Sequence, residues 1–189
     1  MPAALIYIHG FNSSPASFKA RVLQGALAQR APAMQFIAPA LPHSPQAAAG
    51  VLDDLVAAHP DALLVGSSLG GYYATWLAER HNLRAVLVNP AVRPYELLEG
   101  HVGQQKNLYT GEEYEFTHAH VGELRALECA AVTPQRYLLM VETGDEVLDY
   151  RQAVERYRGA RQLVIEGGDH GFGDFEKYLD VVFEFCRLA

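Results

Sequence analysis

Residues 63 to 73 read LLVGSSLGGYY, an apolar run that ends in three glycines and two serines. The glycines permit one register of the pattern G-x-S-x-G, Gly66-Ser67-Ser68-Leu69-Gly70, with Ser68 at its centre. A nucleophile on a sharp strand-to-helix turn needs small residues two positions to either side, because larger ones would meet the neighbouring strand and helix. A helix opening near Leu69 would also aim its positive end at the site. The competing reading is a Gly-rich turn with inert serines. The apolar run before the motif and the helical pattern after it favour a nucleophile.

Acyl transfer also needs a base, a group to orient that base, and donors for the developing oxyanion. VIEGGDHGFGDF places His170 in a Gly-rich loop after the last apolar run, and MVETGDEVLDY places Asp145 just beyond the run before it. Gly144-Asp145 would equally suit a plain turn. Three other carboxylates compete with Asp145. Asp149 opens DYRQAVERYR with Gln152 three residues on, which is helix-capping chemistry. Asp169 adjoins His170, and adjacent side chains rarely face each other. Glu146 is one residue away, but Asp145 directly follows Gly144, where the chain can turn the carboxylate towards the His170 loop. The N–H groups of Phe11 and Leu69 are the expected oxyanion donors, since Gly10 in YIHGFNSSP lets backbone approach a bound carbonyl. His9 lies on the strand side of that glycine and is expected to be buried and hydrogen-bonded.

These residues need a scaffold that brings strand ends together. Six continuously apolar runs lie at 4–10, 35–41, 61–67, 84–90, 136–144 and 161–168. They lack polar alternation, as strands buried on both faces do. Helical patterns fill 14–30, 44–60, 69–82, 149–158 and 174–188, with start signals at Ser14, Ser44, Asp149 and Asp174. Strict alternation implies an α/β fold: a parallel sheet with helices on both faces and right-handed crossovers. Residues 91–131 break the alternation. They read as a lid-like excursion on the C-terminal edge of the sheet, with short helices near 94–99 and 120–127, within a single domain spanning 1–189.

Composition narrows the partners. The 189 residues are 50% hydrophobic and 20% charged, ordinary for a globular protein. A net charge of −7 without a basic stripe argues against nucleic acid. No apolar run is long enough for a membrane span, and MPAALIYIHGF lacks the basic lead and cleavage site of a secretory leader. Cys129 and Cys186 are too few and too distant for a disulfide framework or a Cys metal site, so a reducing cytoplasm is expected. Their expected role is as small buried apolar groups. His118 and His120, near Glu113 and Glu115, read as solvated rather than metal-binding. GSSLGG lacks the Lys-Ser/Thr ending of a phosphate loop.

The order Ser68, Asp145, His170, with YIHGF, GSSLGG, TGDEVLDY and GGDHGF at the strand ends, resembles the α/β-hydrolase superfamily over nearly the whole chain. HGFNSSP and SSLGGYYATWLAE resemble the small bacterial YqiA-type esterases in particular. The resemblance implies a three-layer α/β-hydrolase fold without the two leading strands of larger members. Six parallel strands in the order 2-1-3-4-5-6 would then place the site where the order reverses. It further implies a serine esterase or thioesterase with Ser68, Asp145 and His170 as triad, acting on a small acyl ester or thioester, with no cofactor and no metal. A peptidase or amidase on the same fold, or a silent binding protein using residues 91–131, remains open. Asn12, Tyr72 and Tyr95 are candidates to line the substrate pocket. Tyr109, Tyr114 and Phe116 would either wall it or anchor the excursion. Oligomeric state is not legible.

Overall fold

The computed structural model describes residues 3–187. Its elements run β1 (Ala4–Ile8), α1 (Phe18–Arg30), β2 (Gln35–Ile37), α2 (Pro45–Ala58), β3 (Leu63–Ser67), α3 (Leu69–His81), β4 (Arg84–Val88) and α4 (Pro94–Leu98). Then follow β5 (Gly103–Lys106), β6 (Glu113–Phe116), α5 (His118–Ala126), β7 (Tyr137–Glu142), α6 (Tyr150–Arg156), β8 (Arg161–Ile165) and α7 (Leu179–Cys186).

Six strands form one parallel sheet in the order β2-β1-β3-β4-β7-β8. Side chains alternate across it, as the pleat requires. Leu5, Tyr7, Val65, Val86 and Met140 pack on α1 and α7. Ile6, Ile8, Leu64, Leu87 and Leu139 face the opposite way, onto α2, α3 and α6. The four inner strands are almost wholly buried, which is why their sequences read as unbroken apolar runs. The outer strands β2 and β8 are part-exposed, because each has a partner on one side only.

Several local expectations are corrected. Helix α1 starts at Phe18 rather than near Ser14: the Ser14 carbonyl accepts Ser17 N–H at 3.1 Å and its hydroxyl accepts Ala16 N–H at 3.1 Å, closing a turn first. Asp174 leads into a 3-10 turn (Phe175–Tyr178) and does not cap it, whereas Ser44 and Asp149 do cap their helices. Cys186 is buried but Cys129 only half so. The excursion holds α4 and α5, but also an antiparallel hairpin that was not expected, β5 with β6. Its strands are four residues each, and GQQK carries no apolar signal. Tertiary bonds fix the hairpin instead. Leu108 N–H donates to Asn12 O at 3.1 Å and Asn107 Nδ2 to Ser13 O at 2.9 Å.

Candidate active site

Ser68 sits between β3 and α3 with φ 55° and ψ −122°, a left-handed conformation that costs energy for a side chain. The motif's glycines make the turn possible. A Cβ on Gly66 would lie 2.3 Å from Gly70 O, and one on Gly70 would lie 2.0 Å from Ile8 O. The turn is held by Ser68 N–H donating to Val88 O at 3.1 Å, and by Ser68 O accepting from Gly71 and Ala91 at 2.9 and 3.1 Å.

The ends of β7 and β8 bring the other two groups to this turn. His170 Nε2 lies 3.1 Å from Ser68 Oγ. His170 Nδ1 lies 2.9 and 3.0 Å from the two carboxylate oxygens of Asp145. With the ring proton on Nδ1 it donates to Asp145, and Nε2 is free to accept from the serine hydroxyl. Asp145 also accepts the N–H groups of Val147 and Leu148 at 2.9 and 2.8 Å, and its side chain is only 2% exposed. Burial alone would push its carboxyl up. The bonds from His170, Leu148 and Val147 and the His170 charge outweigh that and hold it below the usual carboxylate range.

The rival carboxylates are otherwise engaged. Glu146 is exposed and accepts the backbone N–H of His170 at 3.0 Å, bracing the loop rather than the ring. Asp149 accepts Arg151 N–H at 3.1 Å as a helix cap. Asp169 enters through its backbone, its N–H donating to Glu142 and its carbonyl accepting from Asn89.

Two cavities meet at Ser68 and His170. One, about 260 Å³, is walled by Leu69, Ala91, Leu97, Leu98, Val147 and Leu148. The other, about 520 Å³, carries more polar groups, Ser13, Ser17, Lys19 and Asp169, beside Phe18, Leu108 and Tyr109. Phe11 and Asn12 border both. As the first residue of α3, Leu69 has an N–H with no acceptor inside its own helix. Among the described residues the Phe11 N–H likewise has no backbone acceptor. Lys19 donates to Gly171 O at 2.5 Å. Burial lowers its pKa, against the raising influence of Asp169, Glu142 and Asp145.

The structure brings Ser68, Asp145, His170, Phe11, Leu69 and Asn12 together but leaves two expected pocket residues elsewhere. Tyr72 is buried in the helical layer and donates its hydroxyl to Leu124 O at 2.8 Å. Tyr95 is buried beneath Arg125, whose guanidinium sits 4.9 Å from the ring centre. Tyr114 and Phe116 anchor the hairpin: the Tyr114 hydroxyl donates to Asn12 Oδ1 at 2.7 Å, and Phe116 meets the Phe11 ring at 5.3 Å. Tyr109 borders the larger cavity. His9 is buried and bonds Gly10 O at 3.0 Å through Nδ1, but its Nε2 has no partner among the described residues. Burial lowers its pKa, against the pull of the Gly10 carbonyl. His118 pairs with Glu99 at 2.9 Å, and His120 accepts the Thr117 N–H at 3.2 Å. Sequence reasoning missed Lys19, Asn89 and Glu142. The last two had a signal: each is a polar residue closing an otherwise apolar strand run, in RAVLVNP and RYLLMVETG.

A six-stranded parallel sheet flanked by helices on both faces, with a serine turn at the reversal of strand order, defines an α/β-hydrolase fold. Residues 4–187 match the model of "Uncharacterised protein family (UPF0227)", and the chain belongs to that family. It is 26% identical to the UPF0227 protein YcfP of Salmonella paratyphi A over 98% of its length and 99% of that protein's. The Escherichia coli O9:H4 protein of the same name is 25% identical with the same coverage. Among solved structures, Est1E from Butyrivibrio proteoclasticus with bound ferulic acid superposes with TM-score 0.71 at 16% identity, covering 99% of this chain and 88% of that one. Mouse alpha/beta hydrolase domain-containing protein 10 does so with TM-score 0.69 at 16% identity, covering 98% and 87%. At such identities these likenesses speak for the fold.

Proposed function

We propose that the protein is a serine hydrolase that cleaves small carboxylic esters or thioesters through an acyl-enzyme. The observation that carries this reading is the unbroken chain from Ser68 Oγ to His170 Nε2 at 3.1 Å and from His170 Nδ1 to Asp145 at 2.9 Å, mounted on a strained turn. Ser68 attacks the carbonyl as His170 takes its proton. Asp145 stays ionised, fixes the ring tautomer and stabilises the imidazolium. The N–H groups of Phe11 and Leu69 receive the oxyanion. His170 then protonates the leaving group and activates the water that frees the acid. The smaller, apolar cavity suits the acyl chain, and the larger cavity beside Lys19 suits the leaving group or water. Two free thiols suit a reducing, cytoplasmic setting. The test is covalent labelling by a fluorophosphonate, together with hydrolysis of p-nitrophenyl esters. One label per chain is expected, lost in Ser68→Ala and kept in Ser67→Ala. Full labelling of Ser68→Ala, or no hydrolysis of any ester by labelled-competent protein, overturns the reading.

A further inference from the structure

Beneath the His170 loop lies a second acidic group that the reaction above does not use. Glu142 closes β7, is 2% exposed, and is the one charged residue of that strand. Its Oε2 accepts the Asp169 N–H at 2.9 Å. The backbone of Gly168 lies flat against the carboxyl: a Cβ there would fall 2.1 Å from Glu142 Cδ. On the far side stands Asp174, close enough to push the Glu142 carboxyl up. The Asp174 Oδ1 is buried and, among the described residues, has no hydrogen-bond partner, while Oδ2 takes Lys177 Nζ at 3.2 Å.

We propose that Glu142 is a positioning residue for His170, its buried carboxyl holding the Asp169 amide and with it the loop that presents the imidazole. This rests on the reading of His170 as the base. The loop has little stiffness of its own, since Gly167 and Gly168 have φ 79° and 73°. Its carbonyls at Asp169 and His170 are held by Asn89 Nδ2 at 3.0 and 3.2 Å, and Asn89 Oδ1 accepts the Glu142 N–H at 2.9 Å. Glu142 and Asn89 therefore grip the peptide before His170 from both sides. Burial pushes the Glu142 carboxyl up, and the neighbouring carboxyls of Asp174 and Asp169 push the same way, against the pull of the Asp169 N–H. Around it stand Lys19 from α1, Asp145 after β7, Asp169 and His170 in the loop, and Lys177 beyond Asp174. Without the Glu142 carboxyl the Asp169 amide has no acceptor under the loop, and the imidazole loses its register with Ser68.

The experiment compares wild type, Glu142→Gln and Glu142→Ala by ester hydrolysis across pH, with circular dichroism as the folding control. Glutamine keeps an oxygen for the Asp169 N–H, and alanine leaves none. Glu142→Gln should keep kcat within about threefold of wild type, and Glu142→Ala should lower kcat roughly tenfold or more with little change in KM. A second readout needs no turnover: the His170 Nδ1–H resonance in NMR, which reports the bond to Asp145, should be kept in Glu142→Gln and shifted or lost in folded Glu142→Ala. A folded but inactive Glu142→Gln, a Glu142→Ala with wild-type kcat, or an unchanged Nδ1–H resonance in Glu142→Ala overturns the proposal. Should Ser68 fail to label, the hydrolase reading falls, and the Nδ1–H resonance still decides the role of Glu142.

Discussion

Adjacent residues in the serine turn have different fates. Ser67 is buried at the end of β3, while Ser68, one residue on, turns to φ 55° and reaches the histidine. This difference was legible because the glycines at 66 and 70 fit one register only. The pairing of Asp145 with His170 was legible for a similar reason. Gly144 packs so tightly on the His170 loop that a Cβ would lie 2.4 Å from Gly168 O, so the next side chain is delivered to the imidazole. Asp145→Asn should lower kcat by roughly 10²- to 10⁴-fold on activated esters, whereas Glu146→Gln, which loses only a brace to a backbone amide, should cost far less. Equal losses in the two variants, measured on folded protein, would refute the assignment. Tyr72 and Tyr95 were misplaced because which side of a helix faces a cleft depends on how helices cross, and a single sequence carries no trace of that.

At the scale of elements, the strands of the main sheet were readable because burial on both faces leaves a compositional mark. The hairpin was not, since β5 and β6 owe their pairing to a loop some ninety residues earlier, through Asn107 and Leu108. The join between α3 and β7 was equally hidden. Glu79 on α3 accepts from Thr133 N–H at 2.7 Å, Thr133 Oγ1 at 2.9 Å, Arg136 at 2.6 Å and Tyr137 Oη at 2.6 Å. Burial would raise its carboxyl, but these bonds and the Arg136 charge win and lower it. A carboxylate with a depressed folded value stabilises above its unfolded value of about 4.3, and that contribution fades as pH falls through the lower folded value. Glu79→Gln should therefore cost roughly 1–3 kcal/mol in urea unfolding at pH 7. The gap from wild type should narrow as pH drops below about 4. A gap of constant size across that range would rule out an ionised Glu79 as the cause.

Over the whole molecule, apolar side chains gather where the cavities open. Phe18, Leu97, Leu108, Tyr109 and Val147 are large, exposed and apolar, and each borders one of the clefts around Ser68 or the groove continuing from it. Scattered exposed hydrophobics are ordinary on a protein surface, but a cluster at a cavity mouth points to an apolar ligand. Leu97, on α4, lines the apolar cavity while remaining 40% exposed, so it can be changed without touching the core. Leu97→Ser should lower kcat/KM for hexanoyl or octanoyl esters by roughly 3- to 10-fold relative to acetyl esters, as a few lost apolar contacts would. An unchanged chain-length preference would place the acyl group elsewhere.

The order of synthesis gives the sheet topology a consequence in time. Ser68 follows the third strand made, next to β1 at the centre of the sheet, and His170 follows β8, the last strand made and one of the two edges. The two residues are 102 positions apart. At ordinary translation speeds Ser68 leaves the ribosome about 5–20 s before His170 is made. Asp145 arrives between them, but it has no imidazole to meet until β8 docks on β7. A nascent or prematurely ended chain therefore carries Ser68 without its histidine partner, and the three side chains meet only once the final strand is in place.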